Sequence, residues 1–361
     1  MNMHNVRGMV SRNAEQGCYD RRDSFSMGTI RYYYYAYGLR ISSQLKLPEL
    51  LPTREEEYQE DVEILSCEFP ESLEGVGNDR GWGWARIADT RCQFMIKGVA
   101  RYQVEQGRRI LVDRRVIQSS GQRGRSRDVR VYLLGTALGI VLHQRCWLPL
   151  HVSALLTPSG VWAFTGPSGS GKSTLAAWLH FNEGWPLVSD DVAVIKPDDT
   201  SPYLYPGPTR IKLWKDALGA LGIQRCGLVR DLTRVDKYHI ALERSFQPRP
   251  HRLRALVVLQ RAEKGEKASL SPVKGVEAFK AIMATLYRAE VGKAFNTPEH
   301  LLRNVAKLAQ RIEVYRYRRS WSLDGMTSNL RPLVWHIDKA NDCPSKMASL
   351  SIGSGLSWSE S

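Results

Sequence analysis

The side chains that could do chemistry fall within the one stretch from residue 151 to residue 191: His151, the run Gly166-Pro167-Ser168-Gly169-Ser170-Gly171-Lys172-Ser173-Thr174, and the pair Asp190-Asp191. The run fits the pattern GxxxxGK[ST]. Its glycines let the backbone curl so that successive N–H groups point at phosphate oxygens, and a helix starting behind them adds partial positive charge. In that setting residues 166 to 174 cradle the phosphates of ATP, with Lys172 reaching the β- and γ-phosphates and the Ser173 hydroxyl ligating Mg2+.

Asp190 follows Lys172 by eighteen residues, room for one helix and a turn. An acidic strand is therefore expected directly after the loop helix, unlike its late position in large motor-like and transporter-type P-loop ATPases. Two carboxylates beside a metal and a triphosphate can divide the labour: one holds Mg2+, the other accepts the proton of an attacking hydroxyl. Ser173 and Asp191 are the metal-ligand candidates, and Asp190, Asp191, His151 and Lys172 the catalytic ones. Spacing alone does not say which carboxylate is the base. The blander readings are a capped turn at Ser189-Asp190-Asp191 and a satisfied core histidine at His151.

These residues need a frame. Val161-Trp162-Ala163-Phe164-Thr165 is a β-type run before the loop, and Leu175-Ala176-Ala177-Trp178-Leu179 supplies the helix after it. Leu148 to Leu156 is a further apolar run, and Leu187-Val188 and Val192 to Ile195 bracket the acidic pair. With a strand at 253–259 and helices at 276–288 and 298–310, residues 128–340 predict an α/β P-loop catalytic domain, opened by a buried helix over 129–145. Ahead of it, 30–127 reads as a smaller β-rich N-terminal domain. It has an aromatic run from Ile30 to Tyr37, a meander over 93–112 turning at Gln106-Gly107, and a Gly/Ser/Arg linker over 119–127. Residues 1–29 are expected to be a flexible tail and 341–361 a disordered one.

At 361 residues, 43% hydrophobic and 24% charged, the chain has the make-up of a globular protein long enough for two domains. Its net charge of +14 attracts an anion: nucleotide, nucleic acid, membrane surface or acidic peptide. The six cysteines show no CxxC pair, which argues against zinc and for scattered thiols in a reducing, cytoplasmic setting. The longest apolar stretch, Val131 to Leu142, is too short to cross a bilayer, so no membrane span is expected. Arginines recur between Arg108 and Arg130, yet no nucleic-acid motif accompanies them. Solvated surface and a site for an anionic peptide are the alternatives, with Arg123, Arg125 and Arg127 as candidates to steer an acceptor. Arg210, Lys212, Arg234 and Lys237 are further candidates for nucleotide or substrate contacts.

Leu150-His151-Val152-Ser153-Ala154, the glycine loop, one helix and Asp190-Asp191 together resemble the HPr serine kinase/phosphorylase family. The match continues through Pro206-Gly207-Pro208-Thr209-Arg210-Ile211-Lys212-Leu213-Trp214 and spans residues 129 to 335. The resemblance implies the P-loop fold shared with phosphoenolpyruvate carboxykinase. It also implies that His151 and the acidic pair flank the γ-phosphate, one aspartate acting as base towards a substrate serine. The metal-binding glutamate of bifunctional members has no counterpart between Asp191 and Glu243. The segments Tyr37-Gly38-Leu39-Arg40-Ile41-Ser42-Ser43 and Leu47-Pro48-Glu49-Leu50 look like the stand-alone relatives found with ribosomally made peptides. Among those are kinases of a C-terminal serine in lasso peptide precursors. The resemblance thus implies a Mg·ATP-dependent serine kinase with a peptide or small-protein acceptor and no nucleic-acid partner. HPr kinase itself is one alternative, and a slow ATPase or nucleotide-dependent binding protein without an acceptor is another.

Overall fold

The computed structural model describes residues 30–54, 59–70, 81–82, 84–88, 90–115, 126–197, 200–208, 210–224, 228–230, 236–241 and 249–341. The tails expected at 1–29 and 341–361 (Asn341 apart, which ends the last helix), the linker up to residue 125, and Arg123, Arg125, Arg234 and Glu243 lie outside the described residues.

The N-terminal part is one mixed sheet. Its strands are β1 (Tyr32–Ala36), β2 (Leu39–Ser43), β3 (Leu51–Pro52), β4 (Val62–Ser66), β5 (Gly81–Trp82), β6 (Ala85–Ala88), β7 (Arg91–Ile96), β8 (Ala100–Glu105) and β9 (Arg109–Asp113). They lie in the order β3-β1-β2-β4-β9-β8-β7-β6-β5. The turn between β1 and β2 is Tyr37-Gly38 with φ of 57° and 72°, a two-residue hairpin whose twist matches its strands. Alternating residues such as Val62 and Ile64, or Ile110 and Val112, bury one face.

Against that face lies the helix that the sequence assigns to the opening of the catalytic domain. It runs as α1 (Ser126–Tyr132), a π-helical segment (Leu133–Ala137) and α2 (Leu138–Gln144). Val129, Leu133, Leu138 and Val141 share one core with Val62, Tyr102 and Ile110, so the helix completes the β-rich part and the expected boundary at 127/128 does not divide the packing. Helical periodicity reports that a face is buried but not which sheet buries it. The same core takes in Val192, Val194 and Val291, which joins the two parts through continuous apolar contact. At the joint Tyr37 N–H donates to the Pro206 carbonyl at 2.7 Å, and a Cβ on Gly207 would meet the Tyr37 ring at 2.8 Å.

The second part is an α/β layer structure. Its elements are β10 (Leu148–Leu150), β11 (Ser153–Thr157), β12 (Gly160–Thr165), α3 (Lys172–Glu183), β13 (Leu187–Asp190), β14 (Ala193–Ile195), β15 (Tyr203–Tyr205), β16 (Arg210–Trp214) and α4 (Lys215–Ala220). Beyond them come β17 (Val229–Arg230), β18 (Lys237–Ala241), β19 (His251–Arg261), β20 (Ser269–Val273), α5 (Gly275–Thr285), α6 (Ala289–Phe295), α7 (Pro298–Arg311), β21 (Glu313–Arg319) and α8 (Met326–Asn341). β12, β19 and β21 are parallel, and β11 lies antiparallel between β12 and β13. The strand ahead of the loop is buried on both faces: Trp162 and Phe164 pack with α3 and α8, while Val161 and Ala163 pack with α5 and α7. Truncating a fully buried ring such as Trp162 to alanine would cost about 3–5 kcal/mol, so β12 is a rigid base for the glycine loop. Among the described residues no helix is long and apolar enough to cross a membrane.

Candidate active site

β12 delivers the chain into the loop at Thr165, and α3 begins at Lys172. Gly166, Gly169 and Gly171 have φ of 153°, 81° and 79°, a region that side-chain-bearing residues avoid. A Cβ at Gly166 would meet Ser170 Oγ at 2.9 Å and the Leu259 carbonyl at 3.0 Å, so only glycine lets the loop turn this tightly. No side chain caps the start of α3. The Lys172 ammonium is nearly buried and donates to the carbonyls of Gly166 at 2.9 Å and Pro167 at 3.2 Å. The buried Ser170 hydroxyl has no hydrogen-bond partner among the described residues.

β13 ends at Asp190, which is in register with Ser153 on β11. The buried Asp190 carboxylate accepts from the Ser153 hydroxyl at 2.6 Å and the Ser173 hydroxyl at 2.8 Å on Oδ1, and from the Lys212 backbone N–H at 2.9 Å on Oδ2. Asp191 goes elsewhere. Its φ of 83° turns the chain, and its carboxylate pairs with the Lys212 ammonium at 2.7 Å. His151 Nδ1 sits 2.9 Å from the Asp191 carbonyl oxygen and 3.4 Å from its Oδ1. Both partners are acceptors, so Nδ1 carries the ring proton. Burial opposes the charge of Asp191, but the Lys212 ammonium and His151 outweigh it and hold the carboxyl well below the usual range.

The structure therefore gathers the catalytic candidates His151, Lys172, Ser173, Asp190 and Asp191 at one place, with the two carboxylates facing different partners. Ser173 and Asp191 are the metal pair expected from the sequence; the residue against Ser173 is Asp190. Neighbours at a strand end point opposite ways, so one carboxylate faces the loop helix and the next faces His151.

A cleft of about 530 Å3 opens over these groups. Ser168 to Thr174 form its floor, Trp214, Asp216 and Lys237 one flank, and Tyr132, Thr136, Tyr287 and Arg288 another. Arg319, at the end of β21, reaches the rear of the loop: its Nη2 lies 3.5 Å from the Ser170 carbonyl, and a Cβ on Gly171 would meet it at 2.9 Å. Its guanidinium is buried, has an unpartnered Nε, and pairs with no carboxylate among the described residues. The described arginines between Arg108 and Arg130 do not line the cleft. Arg109 is paired with Glu63 and Glu105, Arg115 with Glu68 and Asp113, and Arg130 with Glu49, so much of that charge is spent within the N-terminal part. Of the other basic candidates, Lys212 and Lys237 are at the cleft, whereas Arg210 is buried 3.8 Å from Glu49. Sequence reasoning missed Ser153, Thr136, Tyr287, Arg288, Arg319 and Trp321. Only Ser153 lay in a segment the sequence singles out, Leu150-His151-Val152-Ser153-Ala154, and its role there needed the register of β11 against β13.

No protein-family model matches the chain, and no curated protein matches it. Among solved structures it is similar to the HPr(Ser) kinase/phosphatase from Coxiella burnetii, at 13% identity and a TM-score of 0.30, over 54% of this chain and 95% of that one. A likeness this distant assigns neither activity nor substrate.

Proposed function

We propose that the protein is a Mg2+- and ATP-dependent serine kinase acting on a peptide or small protein. What supports this reading is the division of the acidic pair: Asp190 faces Ser173 at the loop, while Asp191 faces His151 and Lys212. Several features fit a triphosphate: three positive-φ glycines, an uncapped helix start, a buried lysine and an unpartnered Ser170 hydroxyl. Ser173 and Asp190 are hard oxygen donors that suit Mg2+. Among the described residues no group of three or more His, Cys, Asp or Glu side chains is gathered for a metal, so the rest of its shell would come from phosphate and water.

Bound there, ATP would supply a terminal phosphoryl group whose bond to the leaving diphosphate breaks as its bond to a seryl oxygen forms, leaving ADP and phosphoserine. The chain's own groups do the rest. Loop amides and Lys172 hold and neutralise phosphate oxygens. Ser153 and the Lys212 amide fix Asp190, which keeps Ser173 aimed. Asp191, ionised at neutral pH, accepts the hydrogen bond of the incoming hydroxyl and orients it. Its weak basicity suits a loose transition state, in which the seryl oxygen passes its proton to the Asp191 carboxylate late, once bonding to phosphorus has acidified it. His151 and Lys212 hold that carboxylate in place. The acceptor class implied by the resemblance at Tyr37–Ser43 and Leu47–Leu50 is a lasso peptide precursor ending in serine.

The test incubates the full chain with γ-labelled ATP, Mg2+ and degenerate peptides carrying one serine, beside the same peptides with alanine instead. Alkali-labile label in the serine peptides alone is the expected result. Label on purified HPr but on no peptide would move the reading to HPr kinase. Phosphate release with no labelled acceptor would replace the kinase by an ATPase.

A further inference from the structure

Five non-glycine residues among those described have positive φ, and two of them, Asp191 (83°) and Arg288 (47°), line the same cleft. A left-handed backbone is costly for a residue with a Cβ and persists where the surroundings over-determine it. Arg288 is held by neutral groups. Its Nη2 donates to Thr136 Oγ1 at 3.0 Å, its Nε to the Tyr287 hydroxyl at 3.3 Å, and its guanidinium lies 4.6 Å from the Trp84 ring centroid. Thr136 belongs to the π-helical segment, a helix irregularity frequent at functional sites. Among the described residues no carboxylate pairs with Arg288, so a fixed, oriented cation faces the cleft without a counter-charge of its own.

The guanidinium sits on the hydroxyl-accepting side. The Tyr287 ring, next to it in sequence, is 6.1 Å from the His151 ring, and His151 contacts Asp191. The loop side of the cleft has its own cations, Lys172 and Arg319. We infer that Arg288 is the anchor of an acceptor subsite and binds a carboxylate of the acceptor peptide, so that a nearby hydroxyl is presented to Asp191. The peptide nature of the occupant rests on the kinase reading; the carboxylate preference rests on the uncompensated guanidinium and its planar fork of donors. Arg123, Arg125 and Arg127 are not needed for it.

The carboxylate could be the acceptor's own C-terminus or an Asp or Glu side chain beside the serine. Three short glycine/alanine peptides, each with one N-terminal fluorophore, separate these sources: one ending in serine with a free carboxylate, its C-terminal amide, and an amide with aspartate next to the serine. Anisotropy is read with the full chain, Mg2+ and a non-hydrolysable ATP analogue. The wild-type protein should bind one carboxylate peptide about tenfold more tightly than the plain amide, the size of one charge-assisted hydrogen-bonded pair, and the peptide preferred names the source. Arg288→Asn removes the charge while tolerating the left-handed backbone, and should abolish the preference without changing affinity for the ATP analogue. Arg288→Lys should keep part of it. Equal binding of all three peptides, no measurable binding of any, or a preference that survives Arg288→Asn would overturn the assignment. Peptides that bind with this preference but are never phosphorylated would count against the kinase reading alone.

Discussion

Ser173 and Asp190 share a hydrogen bond of 2.8 Å, although a whole helix and most of a strand separate them in the chain. The contact exists because α3 and β13 both start or end at the mouth of the loop. The same Oδ1 accepts from Ser153 at 2.6 Å, so one buried oxygen links three elements.

Ser153→Ala leaves that oxygen one donor short in a buried setting. It should destabilise the protein by about 1–3 kcal/mol, the usual cost of unsatisfying a buried polar group. It should also raise the Mg2+ concentration needed for nucleotide binding, because Asp190 loses its fixed orientation. Urea melts and Mg2+ titrations of nucleotide binding check the two effects. Unchanged values in both would mean that Ser153 only fills space.

Arg319 presents the opposite balance. A buried guanidinium without a carboxylate costs the fold, and burial lowers its pKa. Arg319→Met, of similar length and apolar, should leave the melting temperature unchanged or raise it, while weakening nucleotide binding about tenfold by removing a cation from behind the loop. Calorimetry and nucleotide titration together make the check. A large loss of stability with unaltered nucleotide affinity would make Arg319 a structural residue.

Much of the site was legible because its members are close in sequence. A glycine run between a β-type and a helical stretch, with an acidic pair eighteen residues past Lys172, names its own chemistry. The division of roles within the pair was not legible. Asp190 and Asp191 differ by one position, and which one faces Ser173 depends on strand alternation and the positive φ at Asp191. Ser153 needed the register of β11 against β13. Arg288 and Arg319 come from distant segments whose local patterns resemble any other basic surface. The helix over 126–144 was legible as buried, yet its partner sheet was a tertiary matter.

His143 gives the fold a pH dependence of stated sign. It is buried in α2, its Nε2 2.7 Å from the Tyr287 carbonyl and its Nδ1 without a partner, and burial pushes its pKa down to about 4. Its folded pKa lies below the unfolded value, so protonation favours the unfolded chain. The stability this neutral imidazole preserves is complete above about pH 6.5 and is lost progressively as pH falls from there to about 4. The loss between pH 7 and 4 should be about 3 kcal/mol, the consequence of a pKa of about 4 in the folded chain against about 6.5 in the unfolded one. His143→Gln keeps a donor for the Tyr287 carbonyl but cannot be protonated, and should flatten that part of the stability–pH curve. Chemical denaturation of both proteins across this range is the check; parallel curves would show that His143 does not titrate in this way.

The most direct test of the central claim separates the two aspartates by the quantity each controls. Binding of a fluorescent ATP analogue is followed as Mg2+ is raised, beside single-turnover transfer to a serine peptide, for Asp190→Asn and Asp191→Asn. Asp190→Asn should move the Mg2+ midpoint upward, with transfer partly restored at high Mg2+, as expected for a lost metal ligand. Asp191→Asn should leave the midpoint in place yet lower the transfer rate by about 10²-fold or more at any Mg2+ concentration. A shifted midpoint for Asp191→Asn with an unaltered one for Asp190→Asn would contradict the assignment of the metal to the Ser173 side and of the hydroxyl to the His151 side.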